Sequence, residues 1–163
     1  MTEQLQANEV AAETAANAKI ETKLRLESEL KNGASWFYWI AGLSLINSIL
    51  FMTGSKFGFI FGLGVTQVID GLGASTAETV GNGAKVFSLL INCVLAAVYI
   101  VFGVFSNKRF AWAFIIGLVF YGLDGILCLL AQDWLSVAFH AFAGFSIFKG
   151  MQAGKQLDKM ENL

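Results

Sequence analysis

The chain has 163 residues, of which 56% are hydrophobic and only 14% are charged, and its net charge is −1. Soluble domains contain about 45–50% apolar and about 25% charged residues, so this composition is typical of an integral membrane protein. The charge balance excludes the basic surface that nucleic-acid-binding proteins need. The chain contains no Pro, which favours long uninterrupted helices and predicts an all-α protein.

The first segment, residues 1–33, is predicted to form a polar cytoplasmic helix. Ala, Glu, Lys and Leu dominate it, and all four are good helix formers. Asn32-Gly33 is typical of a helix end, and Ser35 can cap the next helix. No apolar stretch follows a basic start, so we expect a mature helix and not a cleaved leader. The helix is either solvated, skimming the membrane, or a docking element for a partner.

A membrane domain is predicted over residues 34–153, followed by a short cytoplasmic tail at 154–163. Each of its strongly apolar runs is near the length of about 20 residues that crosses the hydrocarbon core of a bilayer. The runs that we expect to span the membrane are 36–53, 86–106, 110–130 and 134–151.

A fifth segment, 57–75, is less apolar because it contains five glycines together with Thr66, Gln67 and Asp70. If it does not cross, nine cationic residues share the side of both termini, and only Lys56 and Lys85 lie on the other. If it crosses, the split is five against six. Cytoplasmic loops carry the excess of Lys and Arg. We therefore expect a polytopic bundle of four spanning helices with both termini cytoplasmic, and keep five spanning helices as the alternative.

In the four-helix layout, segment 57–75 lies along the outer interface or re-enters the membrane, where protein or water must cover its backbone. Glycines at four-residue spacing predict a face that packs closely, either within the monomer or against a second copy. These helix-packing glycines are Gly54, Gly58 and Gly62. Aromatic residues at the ends of the spans predict anchors in the membrane–water interface. They are Trp36, Tyr38, Trp39, Trp112 and Trp134.

Two ionisable residues, Asp124 and His140, lie inside the last two apolar runs. The turn between these runs falls near residues 131–133, and Asp133 can cap the second helix. Asp124 and His140 are each eight residues from position 132, so an antiparallel pair brings them to the same depth, roughly 12 Å below the turn. An unpaired charge is costly in lipid, which predicts a buried polar pair. Its role is structural, or proton- or ion-handling, or catalytic or metal-binding.

Asp70 is a candidate third member of this group, because the four-helix layout also places it on the outer side. Two carboxylates and one imidazole match a metal ligand set in type, but no sequence motif supports such a site, and we expect no metal. The single cysteines Cys93 and Cys128 are predicted to be small core residues. Asn47 and Asn92 are predicted to form hydrogen bonds between helices.

The patterns HExxH and GxSxG are absent from the sequence, so we expect neither an enzyme nor a cofactor. The favoured function is an accessory or scaffolding subunit of a membrane assembly. Its partners would be the lipid bilayer and other membrane protein subunits, or further copies of itself. The expected location is a bacterial plasma (inner) membrane. The alternatives are a small oligomeric transporter or channel that uses Asp124, His140 and Asp70, and an intramembrane enzyme that uses the same three residues.

Overall fold

The computed structural model describes residues 1–53 and 62–162. Helices account for 91% of the structure, which confirms the all-α prediction, and the described residues form no strand. The helices are α1 (Thr2–Met52), α2 (Gly64–Val80), α3 (Gly83–Asn107), α4 (Ala111–Leu130) and α5 (Trp134–Glu161).

α1 is one continuous helix of 51 residues, so the helix end predicted at Asn32-Gly33 is wrong. Gly33 instead lets α1 and α5 approach closely. A Cβ atom on Gly33 would lie 2.6 Å from the Cα atom of Gly150, which leaves no room for a side chain at this crossing. Ser35 does not cap a new helix, because its hydroxyl donates to the carbonyl of Asn32 within α1. α5 likewise continues through residue 154, where we predicted a tail, to Glu161.

The core lies where α1 packs against the other long helices. Phe37 of α1 is fully buried. Its ring lies 6.0 to 6.3 Å from the rings of Tyr99, Phe102 and Phe114, measured between centroids. Gly117 makes this packing feasible, because a Cβ atom there would lie 2.5 Å from the Phe37 ring. α1 is therefore the central helix: α3 and α5 pack against it along its length, and the Phe37 ring also reaches α4.

Within residues 1–53 and 62–162, three helices are long and apolar enough to cross a membrane: α1, α3 and α4. In each of them only 33% of the most apolar 18-residue window is buried within the molecule. Exposed side chains on these helices include Phe87, Leu123 and Leu130. The fourth predicted span, 134–151, lies in α5, which is less apolar because it includes His140 and Lys149. A bundle that crosses the membrane four or five times therefore stays a prediction.

α2 occupies the position of the predicted non-spanning segment, with 17 residues from Gly64 to Val80. It extends beyond residue 75, and the first part of the predicted segment lies outside the described residues. Its start is attached to α1, because the backbone N–H of Leu63 donates to the hydroxyl of Ser44 over 2.8 Å. α2 is therefore a short helix held at one end of the bundle by the longer ones.

Ion pairs join three separate parts of the chain at the opposite end. Arg109, in the turn between α3 and α4, donates to Glu161 of α5 over 2.7 Å and lies 4.0 Å from Glu27 of α1. Lys23 of α1 lies 3.5 Å from the other carboxylate oxygen of Glu161. The hydrogen bond from Arg109 lowers the pKa of Glu161. The polar part of α1, the α3–α4 turn and the end of α5 therefore lie together.

Candidate functional site

The structure brings Asp124 and His140 together between α4 and α5. The His140 Nε2 atom lies 2.8 Å from the Asp124 Oδ2 atom, and the two residues are only 7% and 4% exposed. α5 begins just after the turn, where Asp133 accepts a hydrogen bond from the backbone N–H of Ser136 over 3.1 Å. The predicted cap at Asp133 is therefore confirmed. The antiparallel hairpin places residues 124 and 140 at one depth, as counting from the turn predicts.

Asp124 also holds the start of α2, which the sequence analysis did not foresee. Its two carboxylate oxygens accept the backbone N–H groups of Gly64 over 2.7 Å and of Val65 over 2.8 Å. The first N–H groups of a helix lack partners within the helix, and the helix dipole favours a negative charge there. Leu63 precedes α2, and its apolar side chain cannot accept hydrogen bonds from these N–H groups. A carboxylate from α4 therefore supplies the cap of α2.

His140 is fixed at both ring nitrogens. Its Nδ1 atom lies 2.7 Å from the carbonyl oxygen of Ser136. A carbonyl oxygen only accepts, so Nδ1 carries a hydrogen and Nε2 faces the Asp124 carboxyl group. One proton shared between the His140 Nε2 atom and the Asp124 Oδ2 atom then completes a hydrogen bond between them. The Tyr121 ring stacks on the imidazole at a centroid distance of 4.4 Å, with the two planes 18° apart.

Cys128 is the third potential ligand at this site. It follows Asp124 by four residues on α4, so the two side chains share one helix face. The potential ligand atoms of Asp124, Cys128 and His140 all lie within 4.8 Å of one another, and all three residues are buried. Gly64 makes room for the sulfur, because a Cβ atom there would lie 2.8 Å from Sγ. The four-residue spacing was a signal for this contact that the sequence analysis missed.

A cavity of about 230 Å³ lies beside the cysteine. Its lining includes Gly64 and Gln67 of α2, Cys128 of α4, and Asp133 of the turn. The hydrogen bonds from Ser136 lower the pKa of Asp133, so the lining includes an anionic carboxylate near neutral pH. The cavity thus reaches Cys128, whose side chain forms no hydrogen bond to Asp124 or His140.

Asp70 belongs to a different cluster, so the candidate third member does not join the pair. Its Oδ1 atom accepts a hydrogen bond of 2.8 Å from the side-chain amide of Asn92, which also donates to the hydroxyl of Ser48 over 2.8 Å. This cluster connects α2 with α3 and α1. The predicted interhelical role of Asn92 is confirmed.

The other predicted positions are distributed as follows. Gly54 and Gly58 lie outside the described residues. Gly62 precedes α2 and packs against α1, where an added Cβ atom would lie 2.9 Å from the side-chain amide of Asn47. Cys93 is exposed, so the prediction of a core position is wrong for this cysteine. All five predicted anchors have exposed or half-buried side chains, namely Trp36, Tyr38, Trp39, Trp112 and Trp134.

Trp36 has a further role, because its ring packs edge-on against Phe139 and Phe142 of α5 at centroid distances of 5.8 and 5.4 Å. It therefore joins α1 to α5 as well as standing at the start of a predicted span.

No known protein family, curated protein or solved structure matches this chain.

Proposed function

We propose that this protein is a small integral membrane protein that acts as an accessory or scaffolding subunit of a membrane assembly. Its exposed apolar surface supports insertion into a bilayer. Only 33% of the most apolar window in each of α1, α3 and α4 is buried within the molecule, and contiguous exposed apolar patches are rare on soluble monomers. Lipid tails would cover side chains such as Phe87 and Leu130 without any further protein contact.

The ion pairs support the proposed orientation. Arg109 contacts both Glu27 and Glu161, so the cationic residues of α1, of the α3–α4 turn and of α5 are gathered at one end. An end rich in Lys and Arg is expected on the cytoplasmic side. We therefore propose that both termini are cytoplasmic and that α2 lies toward the outer face of a bacterial inner membrane.

The buried polar groups favour a structural role over transport. Asp124 and His140 bond to each other and to the backbone of α2 and α5. Asn92 bonds to side chains of α1 and α2. In both clusters, the hydrogen bonds connect one helix to the next. Polar side chains used in this way fasten helices together inside a membrane.

The single observation that carries the scaffolding proposal is the projecting start of α1. Every described side chain from Gln4 to Glu21 is exposed. The part that precedes Ala16, where α1 begins to lie beside the end of α5, is about 18 Å long at 1.5 Å per residue and extends beyond the bundle. A helix of this length is marginal in water when nothing packs against it. Leu5 and Val10 in this part are 57% and 63% exposed. We therefore propose that the cytoplasmic part of another membrane protein subunit packs against this helix.

The test is the native mass of the protein extracted gently from its own membrane. We expect a defined assembly that contains a second chain in fixed stoichiometry. Replacing Leu5 and Val10 with Glu should release that chain while the protein stays membrane-inserted. The matched control replaces Gln4 and Gln6 with Glu, which adds the same charge to the same helix without removing apolar atoms.

A homogeneous homo-oligomer without a second chain would contradict the proposal. It would favour the alternative of a transporter or channel, which flux measurements on Asp124→Asn and His140→Gln variants in liposomes would then examine. Release of the second chain by the control variant as well would show that charge, and not apolar contact, governs its binding. That result would also contradict the proposed docking helix.

A further inference from the structure

We propose that Asp124, Cys128 and His140 form a binding site for one divalent transition-metal ion, for which Zn²⁺ is the best match. The site would provide one carboxylate oxygen, one thiolate sulfur and one imidazole nitrogen. Imidazole and thiolate ligands together select Zn²⁺ and neighbouring late transition metals over Mg²⁺ and Ca²⁺. This inference goes beyond the scaffolding function and does not depend on it.

The separations of the three ligand atoms support the site. Zn²⁺ bonds of about 2.0–2.3 Å in a tetrahedral arrangement place ligand atoms about 3.3–3.7 Å apart. Here the three atoms lie within 4.8 Å of one another, and the Nε2 and Oδ2 atoms are 2.8 Å apart. Shifts of about 1 Å would therefore suffice to reach coordination distances. While Oδ2 moves to the ion, Oδ1 can keep its hydrogen bond to the backbone N–H of Val65.

His140 already has the orientation of a metal ligand. Metal-bound histidines almost always donate a hydrogen bond from their other ring nitrogen to a carbonyl or a carboxylate, which fixes the tautomer. The Nδ1 atom of His140 lies 2.7 Å from the carbonyl oxygen of Ser136. This bond directs Nε2 toward Asp124 and Cys128. The stacked Tyr121 ring limits rotation of the imidazole.

The charge balance explains why a divalent ion fits this buried site. Before binding, the Asp124–His140 pair with its shared proton is neutral, and so is the Cys128 thiol. Binding of Zn²⁺ displaces the shared proton and the thiol proton, so one ion enters as two protons leave. The product contains Zn²⁺, one carboxylate, one thiolate and one neutral imidazole, and it is again neutral. A site without net charge avoids the cost of leaving charge in a low-dielectric interior.

The cavity next to Cys128 gives the ion a route to the site. Asp133 lines this cavity, and its carboxylate would attract a cation. Three protein ligands leave the fourth tetrahedral position of Zn²⁺ open, as in catalytic zinc sites and unlike closed structural ones. A water molecule from the cavity would complete the coordination.

The experiment uses the full-length protein, purified in detergent, treated with a chelator and titrated with Co²⁺, a spectroscopic substitute for Zn²⁺. We expect one Co²⁺ per chain, with visible bands of tetrahedral cobalt and a near-ultraviolet thiolate-to-cobalt band. Added Zn²⁺ should then displace Co²⁺ and abolish both the visible bands and the thiolate-to-cobalt band. In weakly buffered solution, binding should release two protons per ion. Absence of binding, or octahedral cobalt without the thiolate band, would overturn the proposal.

Cysteine variants locate the ion within the chain. Cys128→Ser retains the Asp124–His140 hydrogen bond, so we expect it to fold and to lose the thiolate band, with affinity at least about 100-fold weaker. Cys93→Ser is the matched control, because this exposed cysteine should affect neither quantity. Unchanged binding by Cys128→Ser would assign the ion to other groups, such as the acidic residues of α1, and would overturn the proposed site.

Discussion

Two helices of this molecule, α2 and α5, begin on a carboxylate, but the two carboxylates come from different places. Asp133 lies directly before α5 and accepts the N–H group of Ser136, three residues away. Asp124 belongs to α4 and accepts N–H groups of Gly64 and Val65, about 60 residues away in the chain. The first is a local cap at the surface, whereas the second is a tertiary contact that determines where α2 sits in the bundle.

Burial makes the energetic difference between the two caps. Water reaches the Asp133 carboxylate at the start of α5, because that residue is only half-buried. Asp124 is 4% exposed and also satisfies His140, so no solvent could take its place. Unpaired buried polar groups cost more than exposed ones, because they keep the full penalty of desolvation. The same chemical contact should therefore stabilise the protein by different amounts at the two helices.

The largest effect is expected for Asp124→Ala. It leaves the His140 ring and two backbone N–H groups without their acceptor, and breaking a buried pair in this way costs about 3–5 kcal/mol. The measurement is the free energy of unfolding in lipid bicelles, with a chelator present so that bound metal does not contribute. Asp124→Asn, which keeps one carbonyl oxygen as an acceptor, should lose less. A change for Asp124→Ala below about 0.5 kcal/mol, typical of neutral surface sites, would remove the distinction between the caps.

Asn92→Ala should have the next largest effect, because it detaches the middle of α2. The substitution removes the amide that bonds to Asp70 and Ser48, and leaving buried partners unsatisfied costs about 1–3 kcal/mol. The same unfolding measurement applies. Cys93→Ala is the control at the next position, where the exposed side chain should contribute within about 0.5 kcal/mol. Equal losses at positions 92 and 93 would show that the Asn92 hydrogen bonds do not stabilise the bundle.

The comparison also separates what a sequence reveals from what it does not. Asp133 could be identified as a cap because the helix that it caps follows directly. The Asp124–His140 contact could be found by counting from the same turn, because a short turn forces two helices to lie antiparallel. The attachment of α2 to Asp124 could not be found, since its partners are backbone N–H groups whose positions depend on the whole fold.

Glycine and cysteine illustrate the same limit. Asn32-Gly33 has the residues of a helix end, yet the missing side chain of Gly33 serves a close helix crossing with Gly150. Both uses need the same absence of a Cβ atom, so local sequence does not distinguish them. Cys93 and Cys128 lie in similar apolar runs, but only Cys128 faces the interior. Its spacing of four residues from Asp124 was the one local signal of that orientation.

The smallest effect is expected at Asp133. Replacing the cap with Ala should destabilise the protein by about 0.5–2 kcal/mol near neutral pH, whereas Asn, which can also cap, should cost less. The hydrogen bonds from Ser136 lower the pKa of Asp133 below its ordinary value of 3.8. A carboxylate with a lowered pKa contributes stability above the unfolded-state value, and this contribution disappears as the pH falls through the folded-state value.

The difference in unfolding free energy between wild type and Asp133→Ala should therefore be constant from neutral pH down to about 5 and should shrink below about pH 4. Wild type and Asp133→Asn are compared over the same range, because the amide does not titrate. Their difference isolates the charge from the hydrogen bond. If it stayed constant down to pH 2, the negative charge at the start of α5 would contribute nothing. The cap would then act through its hydrogen bond alone, and the helix dipole would not favour a carboxylate over an amide at the start of α5.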